Sequence, residues 1–187
     1  ALAPGAPILL EDLVGDHLGE PVKNTNIATH FRHEFGNVEE GFKSADLIVD
    51  KEVSLEMVHQ GYIEPHNATA IWNEDDHITV WSSTQGSFGV RDQTAKFVGV
   101  SPSNIRVNYS EIGGGFGGKT KVYLAPIAAI LSKKSNGRPV KIIMDRPSVF
   151  EATGPAPGGK VRVKMGVTNN GKITAAEAII RYEAGAY

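Results

Sequence analysis

Residues 113–118 read GGGFGG, five glycines around one phenylalanine. No other stretch constrains the backbone so strongly. Each glycine costs up to about 1 kcal/mol relative to alanine, and a plain surface turn needs only one or two. A run like this lets the backbone take positive φ and approach a ligand closely. Successive N–H groups in that geometry form a concavity suited to an anion. A helical pattern follows at KVYLAPIAAILSKK, so the positive end of a helix dipole is expected to point the same way. Phe116 is then either a wedge on the core or a lid on the ligand.

The flanking sequence favours hairpins. ADLIVDKEVSLEMV reads as a strand with Leu47, Val49, Val53 and Leu55 on one face. Ala68, Ala70 and Trp72 alternate before the turn NEDD, and Ile78 and Val80 alternate after it, which predicts a hairpin. Trp72 and Trp81 are expected to pack across it, and His77 to be solvated. SFGVRDQTAKFV at 87–98 has helical spacing, with Gly99 as its left-handed terminator. IRVNYSEI is a strand that leads into the glycines. In the helix after the loop, Pro126 belongs near the first turn or at a kink. RPVKIIMD is a short strand, and PSVFEATGPAPGG is a loop by composition. KVRVKMGV and KITAAEAIIRYEA form a second hairpin around TNNG. The fold class is α+β: a mixed, largely antiparallel sheet of hairpins with about two helices. Residues 1–35, rich in Pro, Gly and Asn, read as linker with short extended pieces, and both ends look cut from a longer chain.

GGGFGGKT also spells a phosphate loop, with Lys119 on a phosphate, Thr120 on magnesium and Asp145 in support. Against a nucleotide-triphosphatase stand the polar Asn108, Ser110 and Glu111 in the preceding strand. A central parallel strand would be apolar on both faces.

Charge is uneven. Residues 1–118 carry 7 Lys+Arg against 17 Asp+Glu, a net of −10; residues 119–164 carry 10 against 2, a net of +8. The basic block would suit an anionic ligand or complement the acidic half. Its few aromatics argue against nucleic acid. The chain has no cysteine, which excludes disulfides and iron–sulfur ligation by these residues. It has no apolar run of membrane-spanning length.

Five segments in order carry a resemblance: GYIEPHNATAIW, WSSTQG, EIGGGFGGK, PVKIIMDR and the final EAGAY. Together they resemble the large subunit of the molybdenum hydroxylases, the family of xanthine dehydrogenase, aldehyde oxidase and aerobic carbon monoxide dehydrogenase. The likeness covers about residues 36–187. It implies that 36–187 is the N-terminal part of a molybdopterin-binding domain and that 1–35 leaves a preceding hammerhead-type domain. It implies a molybdenum centre held by molybdopterin cytosine dinucleotide, with no direct metal ligand from this chain. Gln85 would donate to an oxygen ligand of the metal, and the loop Gly114, Gly115, Phe116 and Gly117 would bring backbone amides, chiefly those of Phe116 and Gly117, to the same group. The implied enzyme is cytoplasmic and hydroxylates an aldehyde or aromatic heterocycle with oxygen from water. FAD and iron–sulfur clusters would sit on partner subunits or other domains. The family's catalytic glutamate would lie far beyond Tyr187, so no turnover is expected from this chain alone. Apolar surface left uncovered in such a piece invites self-association.

Thr120 stands where the purine-oxidising members have a glutamate, which argues against xanthine as substrate. The resemblance gives Glu64, His66 and His59 no catalytic duty; Glu64-Pro65 is expected to be structural, and Asp145 and Arg146 to pair locally.

Overall fold

A computed structural model describes residues 2–9 and 19–184. The early linker residues 10–18 and the last three residues of EAGAY lie outside that range. The chain divides into two compact units, one of residues 1–55 with 159–187 and one of residues 56–158.

The first unit holds a small antiparallel pair, Glu20–Val22 (β1) with Ile27–His30 (β2), within the stretch expected as linker. A short helix, Val38–Lys43 (α1), follows, capped by the Asn37 side chain on Glu40 N–H. Leu47–Leu55 (β3) then pairs antiparallel with Gly159–Val167, and that strand with Ile173–Tyr182, in a three-stranded sheet. The two later strands form the expected hairpin around 168–171, where Gly171 takes φ +82°. Register puts Leu47, Val49, Val53 and Leu55 on one face, beside Val161, Val163, Met165, Ile180 and Tyr182. The opposite face carries charge, including an Arg162–Asp50 pair with both nitrogens engaged at 2.9 and 2.5 Å.

The second unit is built on a four-stranded sheet. Asn67–Trp72 (β4) and Ile78–Ser82 (β5) form the predicted hairpin. Ser87–Val98 (α2) and a 3-10 turn at Pro102–Asn104 lead to Ile105–Tyr109 (β6), which pairs parallel with β5. Ala125–Lys134 (α3), with Pro126 in its first turn, leads to Val140–Ile143 (β7), antiparallel to β4. The order is β6-β5-β4-β7, so the strand before the glycine loop is an edge strand, as its polar residues suggested. The last helix is Arg146–Ala152 (α4). The two C-terminal strands of the first unit, Gly159–Val167 and Ile173–Tyr182, are β8 and β9.

The core lies between this sheet and α2 and α3. Ala68, Ala70, Trp72, Ile78 and Val80 pack against Val90, Ala95, Ala125, Ala128 and Ala129. Alanines on both sides let α3 approach β4 closely. Beyond the end of β7, Trp72 N–H is taken up by Ser132 Oγ at 2.9 Å, which donates to Arg138 O at 2.7 Å. A buried strand group thus keeps its hydrogen bond.

Four local expectations need correction. Residues 146–152 are helical, because Asp145 caps Ser148 N–H at 2.8 Å and Pro147 fits a first turn. α1 was not anticipated. Trp81 lies opposite Thr69, not Trp72, so the two indoles occupy opposite faces; Trp72 is buried and Trp81 is 40% exposed. Arg146 turns away from Asp145 and donates to Tyr62 O and Ile63 O at 2.9 and 2.5 Å.

Candidate functional site

β5 ends at Ser82, and the chain passes through Ser83, Thr84 and Gln85 into α2. Thr84 is buried and gives Gly86 N–H an acceptor at 3.0 Å, which turns the chain toward the helix. Gln85 is exposed at that corner. Gly86 is the N-cap residue, and among the described residues no side chain caps α2. The first amides of α2 therefore remain open to solvent or a ligand. α3 begins only at Ala125, so the helix that starts at the site is α2, not the one expected directly after the glycines.

The glycine loop folds over this corner. Gln85 N–H donates to Lys119 O at 3.1 Å. In return Gly117 N–H and Lys119 N–H both donate to Gln85 Oε1, at 2.9 and 3.1 Å. Two donors on one oxygen fix which end of the amide is carbonyl. Gln85 Nε2 is consequently the donor end, with no acceptor among the described residues. The contact is close: a Cβ on Gly115 would stand 2.6 Å from Gln85 Cδ and would push that amide out of its place. Gly114 and Gly117 take φ +91° and +90°. Phe116 takes φ +49° and is 72% exposed, so it is not a core wedge. Gly118 N–H closes on Gly115 O at 2.8 Å.

Gln85, Gly114, Gly115, Phe116 and Gly117 are thus brought together, with one change of role. The Gly117 amide is spent on Gln85. Among the described residues, the loop amides of Gly114, Gly115 and Phe116 have no protein acceptor.

Lys119 points the other way. Its side chain is 0% exposed, and Nζ donates to Glu64 Oε2 at 2.9 Å and Ser83 Oγ at 2.8 Å, 4.8 Å from the Tyr62 ring centroid. Thr120 Oγ1 is turned back onto Gly117 O, and Asp145 is a helix cap. The three residues of the phosphate-loop reading are all engaged elsewhere, and a buried, paired lysine cannot neutralise a phosphate. That reading is corrected.

Glu64 was the residue whose part in the loop the sequence did not disclose. Oε2 accepts from Lys119 Nζ, from Ser83 Oγ at 2.7 Å and from Gly113 N–H at 2.7 Å; Oε1 accepts from Asn67 Nδ2 at 3.1 Å. Burial alone would raise this carboxyl. The bonds from Lys119, Ser83, Gly113 and Asn67 outweigh it and hold the group down at about 2. His66 is buried, shares a 2.8 Å bond with Tyr62 Oη, and is lowered to about 4 by burial first and then by the nearby Lys119 charge. His59 bonds Thr153 Oγ1 at 3.0 Å. All three side chains are engaged with other residues of the chain.

A family model of the molybdopterin cofactor-binding domain matches residues 19–187. This chain belongs to the molybdenum hydroxylase family. It is 35% identical over 158 residues to the indole-3-acetaldehyde oxidase of Arabidopsis thaliana, covering 83% of this chain and 12% of that protein. It is 33% identical over 155 residues to the aldehyde oxidase 3 of Rattus norvegicus, covering 81% of this chain and 12% of that protein. Its fold is similar to that of the reconstituted CO dehydrogenase from Oligotropha carboxidovorans, with TM-score 0.67, 26% identity and coverage of 96% of this chain and 23% of that one. The chain therefore spans 12% of the length of each of these two oxidases. For this molybdenum hydroxylase domain the donor set fits the cofactor. Gln85 Nε2 and three loop amides are N–H donors, the kind of group that an oxygen-rich centre accepts from.

Proposed function

We propose that this chain supplies one wall of the molybdenum site of an oxidoreductase that hydroxylates aldehydes or aromatic heterocycles with water-derived oxygen. The observation that carries the reading is the Gln85 amide: its oxygen is held by two loop N–H groups, so its Nε2 is directed as a donor. The molybdenum cofactor, when bound, supplies the two-electron redox centre and the oxygen that is transferred. The residues of this chain orient and hydrogen-bond it. Gln85 Nε2 and the amides of Gly114, Gly115 and Phe116 are the groups that would hold its oxygen ligands. Preorganised donors of this kind act without reorganisation at the moment of reaction.

The remaining features go with that reading. The cofactor is the cytosine dinucleotide form, and FAD and iron–sulfur clusters sit on partner subunits or other domains. The enzyme works in the cytoplasm. The matched residues 19–187 form the N-terminal part of the cofactor domain. On this reading the chain alone does not turn over. Thr120, turned back onto Gly117 O, offers no carboxylate to a purine, which supports a substrate other than xanthine.

In the natively purified enzyme, Gln85→Ala is expected to lower kcat for substrate hydroxylation by roughly 10²-fold or more, the scale of losing one preorganised donor. An unchanged kcat, or magnesium-ATP binding that is lost in Lys119→Ala, would contradict the assignment.

A further inference from the structure

One carboxylate ties both ends of the glycine loop. Glu64 Oε2 accepts Gly113 N–H at the loop's entrance and Lys119 Nζ at its exit. Ser83 Oγ, two residues before Gln85, donates to the same oxygen. The grip is tight enough to require glycine at the entrance, where a Cβ on Gly113 would stand 2.5 Å from Glu64 Cβ. At the exit, a Cβ on Gly118 would stand 2.8 Å from Tyr62 Cε1. Lys119 is held twice, by its side chain to Glu64 and by its N–H to Gln85 Oε1. Lys119 thus links Glu64 directly to the Gln85 amide, and Ser83 links it along the chain.

From this we infer that Glu64 is a positioning residue: its carboxylate staples the loop at Gly113 and Lys119 and thereby sets the direction in which Gln85 Nε2 is presented. This deepens the function proposed above and rests on it for its consequence. The staple itself is a property of the protein alone. Hydrogen bonds to a charged acceptor are about twice as strong as neutral ones. Three of them converging on one oxygen give the loop a single arrangement despite its glycines. Without the charge, Lys119 is a buried cation with no counterion, and the loop must open to hydrate it.

The test is hydrogen exchange in the natively purified protein, comparing wild type, Glu64→Gln, Gln85→Ala and the double variant. In Glu64→Gln the amides of Gly117 and Lys119, which donate to Gln85 Oε1, are expected to exchange roughly tenfold faster or more, the scale of losing charge-assisted bonds. Amides of α2 and of β4 are expected to be unchanged. In the Gln85→Ala background those two amides have already lost their acceptor, so adding Glu64→Gln is expected to accelerate them no further. Unchanged exchange at 113–119 in Glu64→Gln overturns the inference. So does acceleration spread over the whole β6-β5-β4-β7 sheet, or acceleration that multiplies in the double variant, since either makes Glu64 an ordinary stabiliser of the fold. Should Glu64→Gln fail to fold, Ser83→Ala removes one arm of the staple and is expected to show the same local acceleration at smaller amplitude; no acceleration there overturns the inference. A wild type that lacks molybdenum would sink the proposed function and leave the exchange result standing.

Discussion

Glu64 and His66 are two residues apart, and the fold withholds a proton from each. The sign of the pH dependence follows. Glu64 is about 2 in the folded state against an ordinary 4.5, so its contribution is complete above pH 4.5 and is lost as pH falls toward 2. His66 is about 4 against an ordinary 6.5. Between those values the unfolded chain binds a proton that the folded chain refuses, so stability is lost as pH falls from 6.5 to 4. Acid destabilisation should therefore begin with His66, well before Glu64 is reached. Urea unfolding midpoints measured from pH 8 to 4 are expected to fall across that window in wild type. They are expected to stay flatter in His66→Gln, which keeps an acceptor for Tyr62 Oη. A wild-type midpoint constant from pH 6.5 to 4 would contradict the assignment. Gln85 and the loop were legible in the sequence through the glycine run and the segments around it. The Glu64–Lys119 pair was not, because the two residues are separated by 55 positions and neither carries a local pattern. The same holds for the spent Gly117 amide, which depends on a contact with Gln85 across 32 positions.

At the scale of elements, the three-stranded sheet β3-β8-β9 is the feature with the largest unmet requirement. Leu47, Val49, Val53 and Leu55 alternate along β3 onto one face, yet each is between 45 and 56% exposed. Ile180 and Tyr182 on β9 extend that face at 57 and 65%. β3 and β9 are also both edge strands. An apolar face of this kind, interrupted only by Lys51 opposite Val163 and flanked by edge strands among the described residues, drives association. The isolated 187-residue chain is expected to self-associate with rising concentration in sedimentation velocity, and Val53→Lys to shift it toward monomer. A wild-type chain monomeric at all concentrations would contradict this. Period-2 alternation revealed β3, β4, β5 and the β8–β9 hairpin from sequence, and Gly99 marked the end of α2, where it takes φ +75°. α4 was hidden because its proline and the glycines after it gave it a loop's composition; the capping Asp145 followed by Pro147 was the signal to weigh more heavily. α1, only six residues long, has too few turns for a helical period to register.

At the scale of the whole molecule, the α+β class and the antiparallel bias could be read from the hairpins. The parallel β5–β6 pair could not, since pairing partners are not encoded in local period. The family assignment rests on a match over residues 19–187, and the site geometry gives it a physical reason: a glycine loop locked to one glutamine, offering N–H donors and turning its lysine inward. The most direct measurement is the molybdenum and nucleotide content of the natively purified protein, by elemental analysis and mass spectrometry of the released cofactor. Near-stoichiometric molybdenum with a pterin dinucleotide is the predicted result. ATP or ADP released in place of molybdenum would contradict the account at its centre.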